Sequence, residues 1–494
     1  MDNRKLWSVL LGGLMLFAAA LPARADDDLY QQLKPLMESI SIIQENYVDK
    51  SRVDSKDLLR GAIKGMVGTL DPFSAYMDPQ QYKDMQQETA GSFGGLGIEI
   101  GVKNGALTVI APIEGTPAYR AGIKAGDTIA TIEGQSTEGL SLMDAVHKLR
   151  GPKGTKVTIG ILRQGLKEPK DYTLTRDTIK VVNIHTSVLD GDIGYIRLNQ
   201  FVGGADEFDK DMKRFESEHV KGLILDLRNN PGGLLDMAGE VARNFVPKGK
   251  LIVYTEGRYK SQEKVYKGDR THVWGKPLAV LINGGSASAS EIVSGAIQDQ
   301  GLGVIVGTKS FGKGSVQTIL PLSDGSALRL TTAKYLTPKG RTIHGVGIFP
   351  DVVVEDSAPS PQVETMVKDD DFTKFVDGYL KINPGFSLTT TARTQALNVS
   401  THSWSELEPE SREDKILKDF EDYCQGQVPN FSENQYWADH NPILVDLKVA
   451  LAKKESGEEA AKEQELEGDP QVKAALNILK AEQIFKKQMH VAVK

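Results

Sequence analysis

Residues 282–299 read INGGSASASEIVSGAIQD, a stretch of small residues that leads out of one apolar run and into another. The run before it, PLAVLI (277–282), is continuously apolar, as a strand buried on both faces would be. The run after the turn, ASEIVSGAIQD (289–299), has helical spacing. The same texture extends in both directions. GDIGYIRL (191–198), GLILDLR (222–228) and VIVG (304–307) read as strands, and ADEFDKDMKRFESE (205–218) as a helix. Strands alternating with helices over 177–355 predict an α/β layer structure.

The regions on either side differ in texture. From Gly91 to about Arg176 the chain shows short β runs (GIEIGV, LTVIAPI, DTIATIEG, KVTIGILRQG) with one helical stretch, SLMDAVHKLRG (141–151). Residues 26–90 read as helical: LYQQLKPLMESISIIQENYV and LLRGAIKGMVGTL carry apolar side chains at spacings of three and four, and Asp71-Pro72 ends the second. DSAPSPQ (356–362) reads as a linker, and the remainder to 494 as helical and charged, with ESGEEAAKEQELEGDP (455–470) a solvated acidic face. The overall expectation is a mixed α/β, multidomain chain.

At the N-terminus, Asn3-Arg4-Lys5 is followed by the nearly uncharged run Leu6–Ala20 and the small-x-small site Ala23-Arg24-Ala25. That order predicts a secretory signal peptide over 1–25, cleaved near Ala25, and a periplasmic or otherwise extracytoplasmic mature protein. The run is shorter than the roughly 20 apolar residues that span a bilayer. A net charge of −7 argues against a nucleic-acid partner. The one cysteine, Cys424, cannot form an internal disulfide, so packing must hold the fold. No HExxH or paired-CxxC metal motif occurs, and no cofactor is called for.

Ser286, Ser288 and Ser290 stand where the turn enters the helix, so free N–H groups and the helix dipole favour negative charge there. VGTKSFGKGSVQ (306–317) then brings Lys313 onto a glycine turn after another strand. A lysine kept neutral by burial can act as a base, whereas none of the eight histidines falls in an acyl-transfer motif. His344, in GRTIHGVGIFPD, reads as structural or substrate-facing. On these residues alone the nucleophile stays open among the three serines. GTKSFGK (307–313) also matches the first seven positions of a phosphate-binding loop, but Gly314 stands where the magnesium-binding hydroxyl belongs, so nucleotide binding is not expected.

Two resemblances narrow this. In SFGGLGIEI (92–100), Gly94, Gly95 and Gly97 form a glycine-rich loop that can aim several N–H groups at one anion, a terminal carboxylate among them. GTPAYRAGIKAGDTIATIEGQ (115–135) is similar in order and spacing to the PDZ family, which implies a PDZ-like α+β domain over 91–176. A substrate C-terminus would extend the sheet beside Gly97–Ile100, with Gly94, Gly95, Leu96, Gly97 and Ile98 as the peptide-binding residues. Arg150, after the groove helix, is a candidate regulatory latch.

GLILDLRNNPGGLL (222–235), INGGSASASEI (282–292) and VGTKSFGKGSVQ resemble, in order, the three signature segments of the carboxyl-terminal processing (tail-specific) serine proteases. The resemblance covers about residues 30–355 and implies a ClpP/crotonase-like protease core over 177–355. It makes Ser288 the nucleophile, Lys313 the base and Gln317 the residue that orients the base. The backbone N–H groups of Ala289 and of Gly232 or Gly233 become the oxyanion donors, and DPQVKAALNILK (469–480) resembles the family's terminal helix. The expected partners are protein substrates held by their C-termini. Self-association through the N- or C-terminal helices, and an adaptor protein, are left open. The competing reading is an inactive PDZ scaffold. Ser288, Lys313 and Gln317 occurring together argue against it.

Overall fold

The computed structural model describes residues 27–492 except 389–410, 356–359, 164–167, 114–115, 181–182 and single positions at 90, 104, 125, 141 and 191. The expected signal peptide and most of the 356–362 linker lie outside the described residues. The chain divides into two compact units: residues up to Tyr82 with Gln317–Leu330, and Lys83–Val316 with Thr331 onward.

In the first unit, α1 (Asp27–Asn46) and α2 (Ser55–Gly68) are helices, with Asp54 capping the Lys56 N–H of α2. The Asp71 carboxylate ends the run by accepting from the Phe73 and Ser74 N–H groups, each at 2.8 Å. β1 (Ala75–Met77) then pairs antiparallel with Ala327–Arg329, so this region holds a strand as well as the expected helices. Leu33, Met37, Ile42 and Val48 in and just after α1, and Met66 on α2, are exposed.

The second unit starts at Lys83, within α3 (Pro79–Thr89), which leads into β2 (Ser92–Gly95). Next come β3 (Ile98–Lys103), β4 (Ala106–Pro112), α4 (Pro117–Arg120), β5 (Thr128–Ile132), β6 (Gln135–Ser136), α5 (Leu142–Leu149), β7 (Lys156–Leu162) and β8 (Lys170–Thr175). They build a sheet in the order β3-β4-β5-β7-β8 around a core that includes Val109, Ile129, Ile159 and Ala145. β9 (Asp177–Lys180) returns beside β2, pairing Gly95 with Asp177 and Gly94 with Thr178. Gly94 and Gly95 thus sit in a strand rather than the glycine loop expected from sequence.

A further six-stranded sheet comprises β10 (Ile184–Leu189), β11 (Ile193–Leu198), β12 (Gly222–Asp226), β15 (Leu278–Ile282), β16 (Val304–Gly307) and β19 (Val352–Val353), in that order. From β11 to β19 neighbours run parallel, and β10 is antiparallel to β11. Between these come α6 (Asp206–Ser217), α7 (Leu235–Ala242), β13 (Leu251–Gly257), β14 (Val265–Lys267), α8 (Ala289–Gln300), β17 (Ser315–Pro321) and β18 (Ala327–Leu336). Phe208, Ala238, Val241 and Val293 from three of the helices cover one face of the sheet.

The other face is closed from far along the chain. α9 (Pro361–Lys368), α10 (Asp371–Ile382), α11 (Arg412–Gln427), α12 (Glu433–Ala438) and α13 (His440–Ser456) share a separate core with Phe375, Phe420 and Tyr436, in which Cys424 is buried. α14 (Glu458–Gly468) then leads to α15 (Pro470–Ala492). Val472, Ala475 and Leu479 of α15 pack on Ile193, Tyr195, Ile224 and Leu281 of the sheet. What reads as a C-terminal extension therefore completes the α/β sandwich.

Candidate active site

Parallel strands bring the loops after β12, β15 and β16 to one edge of the sheet, where α/β folds hold their ligands. The β15 loop carries the three serines, which have different surroundings. Ser286 is fully buried; its Oγ donates to Leu227 O at 2.8 Å and accepts from Asn283 N at 2.9 Å. Ser290, also fully buried, donates to Asn230 O at 2.9 Å. Both hydroxyls are engaged in holding the turn. Ser288 is only half-buried and sits at the N-cap of α8 with φ 56° and ψ −111°. A serine in positive-φ backbone is strained by about 1–3 kcal/mol. Such strain is found where a sharp strand-to-helix turn presents a side chain outward.

Glu291, one turn into α8, is 0% exposed and accepts four hydrogen bonds. Oε2 takes the N–H groups of Ser288 (2.8 Å) and Lys313 (2.9 Å), while Oε1 takes Ser310 Oγ (2.6 Å) and Gly312 N (2.7 Å). One carboxylate thus fastens the serine turn to the lysine turn. Burial pushes the Glu291 carboxyl up from its usual range, and the four donors act against that. Tyr335, on β18, donates from its hydroxyl to Lys313 O, and the same hydroxyl interacts with the Ser288 side chain. Burial and the Glu291 charge hold that phenol well above its ordinary range, so it stays protonated. Ser288 and Lys313 therefore share two partners. The hydrogen-bond donors of the β16 loop, which resembles a phosphate cradle, already surround this carboxylate. A phosphate there would meet an anion of the protein's own.

The β12 loop is built into the same corner. Gly232 has φ +97°, and a Cβ there would come within 2.7 Å of Ser288 Cβ and 2.9 Å of Ala289 N. Its N–H donates to Asn230 Oδ1 at 2.9 Å. Gly233 bridges to Phe201, where an added Cβ would stand 2.1 Å from the Phe201 carbonyl oxygen. Ala289 is fully buried at the first position of α8. Gln317 is half-buried, the third residue of β17, and belongs to the first unit. His344 is exposed, and the chain beside it is packed on Gly314. Among other described histidines, His272 pairs with Glu216 on the surface and His185 lines a separate cavity against α14.

Reading the sequence missed Glu291 and Tyr335. Glu291 left a local trace: Ser288-x-x-Glu291 ahead of an apolar run is a capping-box pattern. Tyr335 left none, since only the strand pairing of β18 brings it back to the turn.

Around the edge strand β3, a cavity of about 170 Å³ is lined by Phe93, Gly95, Leu96, Gly97, Ile98, Ile100, Val146, Leu149 and Arg150. Four of the five expected peptide-binding residues line it. Gly94 is instead packed against Gly151, whose N–H donates to the Gly94 carbonyl at 3.0 Å. Arg150 lies over the Phe93 ring, 4.5 Å from its centroid.

The profile of Peptidase family S41 matches residues 192–354, the PDZ domain matches 85–162, and the N-terminal domain of the activating protease CtpB matches 19–81. The carboxy-terminal-processing protease of Bartonella bacilliformis is 45% identical over 358 residues, covering 71% of this chain and 81% of that protein. The chain belongs to peptidase family S41. The carboxy-terminal processing protease CtpB of Bacillus subtilis is 36% identical over 378 residues, 72% of this chain and 78% of the relative. Among solved structures, a photosystem II D1 C-terminal processing protease aligns at 30% identity and TM-score 0.40, over 66% of this chain and 94% of that one. This S41 member is a serine-type protease with a PDZ domain, and its substrates are proteins.

Proposed function

We propose that this S41 protease is an endopeptidase of exported proteins in which Ser288 is the nucleophile and Lys313 the base. The observation that carries the reading is the contrast among the serines. Ser286 and Ser290 spend their hydroxyls on buried carbonyls, while Ser288 stands half-exposed at the head of α8, joined to the Lys313 turn through Glu291 and Tyr335. A neutral Lys313 amine takes the Ser288 proton as Oγ attacks the scissile carbonyl, and Gln317 orients that amine. The tetrahedral oxyanion accepts from the N–H groups of Ala289 and Gly233. Gly233 is preferred to Gly232 because the Gly232 N–H already donates to Asn230. Lys313 then protonates the leaving amine, and water hydrolyses the acyl-enzyme.

The PDZ domain takes substrate C-termini as an added strand on β3, whose outer edge faces the cavity against α5. Arg150, stacked on Phe93 in that cavity, is placed to respond to an incoming carboxylate. Among the described residues no helix is long and apolar enough to cross a membrane. Export rests on the charge and apolar order of residues 1–25, and self-association on the exposed apolar side chains of α1 and α2.

The test is purified protein incubated with an unfolded exported protein, beside its Ser288→Ala variant. Loss of cleavage with C-terminal peptide binding retained supports the reading. Cleavage that persists in Ser288→Ala overturns it, and a wild-type protein that binds tails without cutting favours the scaffold.

A further inference from the structure

The loop that carries Gly232 and Gly233 is gripped from two sides. On one side, Asn230 donates from Nδ2 to Leu198 O at 2.7 Å and accepts the Gly232 N–H. Its carbonyl takes both the Ala287 N–H at 3.0 Å and the Ser290 hydroxyl at 2.9 Å, so it pins the serine turn. On the other side, two residues upstream, Arg228 is 8% exposed. It donates to both oxygens of the fully buried Asp226, with Nη2 to Oδ2 at 2.6 Å. Its Nη1 reaches out of the loop to α15 and its cap, donating to Asp469 Oδ2 at 2.6 Å and Gln471 Oε1 at 3.0 Å. Asp469 uses its other oxygen to cap α15, accepting from Gln471 N at 2.8 Å and Val472 N at 3.0 Å. Gln471 is tied down in turn, donating to Val354 O at 2.8 Å.

We propose that Asp469 is a positioning residue for the reaction: through Arg228 it holds the oxyanion loop at the spacing Ser288 requires, making α15 a working part of the active site. The inference rests on the Ser288 reading above. Asp226 neutralises the guanidinium by itself, so the fold does not need a second carboxylate there. What the second carboxylate adds is a fixed direction for Nη1, and hence for the run 228–233. Charge-assisted bonds of this kind are short and directional, and transition-state complementarity is sensitive to sub-ångström misplacement.

Asp469→Asn separates the two roles of the residue. Asparagine caps helices as well as aspartate does but offers Arg228 no charge. Per folded molecule, kcat for an unstructured fluorogenic peptide is expected to fall about tenfold or more with KM within about twofold. The Ki of a peptide aldehyde, whose adduct places an oxyanion in the same hole, should rise by the same factor. Lys480→Ala is the control. It removes an ion pair of 2.7 Å between the same helix and Asp190, far along α15 from Arg228, and should leave kcat unchanged. Wild-type kcat in Asp469→Asn, or an equal loss in Lys480→Ala, overturns the proposal. If Asp469→Asn does not fold, Gln471→Ala removes only the second Nη1 acceptor and the Val354 tie, and should give a smaller loss in the same direction; unchanged kcat there overturns it. A Ser288→Ala enzyme that still cuts overturns the site reading and this inference together. An inactive Ser288→Ala beside a full-speed Asp469→Asn overturns the inference alone.

Discussion

At the residue scale, an amine base and a guanidinium differ in one respect that decides the chemistry. Lysine can be deprotonated at accessible pH, but arginine in a protein cannot. Lys313→Arg, which keeps the charge, should therefore lose about as much activity as Lys313→Ala, on the order of 10³-fold or more. A progress curve showing substantial cleavage by Lys313→Arg would make the lysine an electrostatic anchor instead. Glu291 offers a second test. All four of its partners are donors, so an ionised carboxylate satisfies them and a carboxamide cannot, because its NH2 would face one of the donor pairs. Glu291→Gln should destabilise by about 2–4 kcal/mol in denaturant titration. Activity should fall further than the loss of folded protein explains, since the turns of the proposed nucleophile and base loosen together; a variant as stable and active as wild type would mean the carboxylate is protonated. Ser288 and Lys313 could be proposed from sequence because motif and spacing are local. Their shared partners were less so: Glu291 showed only as a cap, and the Arg228–Asp469 pair joins residues 241 apart in the chain, with no local pattern to mark it.

At the scale of elements, most strands and helices could be read from periodicity. The continuous apolar runs at 222–226, 278–282 and 304–307 became the parallel strands β12, β15 and β16. Two features were hidden. β2 looked like a glycine loop because Gly94 and Gly95 have no β-propensity of their own, and only pairing with β9 extends them. The role of α15 was hidden because an apolar helical stripe does not reveal which sheet it covers. The hairpin of α13 and α14 carries a titration signature. Burial, and then the nearby Glu465 charge, push the Asp446 carboxyl up to about 6 from 3.8. The folded pKa is above the unfolded one, so its contribution to stability is complete below about pH 4 and is lost as pH rises through about 6. Asp446→Asn should flatten that part of the stability–pH curve and raise stability at pH 7–8, by about 1–2 kcal/mol after allowing for partial solvent screening. Thermal melts from pH 4 to 8 that keep the same slope in the variant would assign the slope to another group.

At the scale of the whole molecule, the PDZ domain is entered and left through the paired strands β2 and β9. Gly95 and Asp177 are register partners, so residues 96–176 can be replaced by a two-residue glycine turn with little disturbance to either strand. If the domain gates the protease, this variant should cleave a short unstructured peptide at least as fast as wild type, while cleavage of a protein with a C-terminal tail falls. Equal loss of both in a folded enzyme would mean that the domain helps to build the active site. The mature N-terminus should lie near Asp26, and N-terminal sequencing of protein from cells that returned Met1 would remove the case for export. The placement of α15 also has a bearing on timing. A polypeptide emerges from the ribosome N-terminus first, so the strands bearing Ser288 and the loop bearing Gly233 are made well before the helix that covers their second face. Until Val472, Ala475 and Leu479 arrive, Ile193, Tyr195, Ile224 and Leu281 lack much of their cover on that side. The sheet that carries Ser288 and Gly233 therefore depends for its second face on a part of the chain made after it.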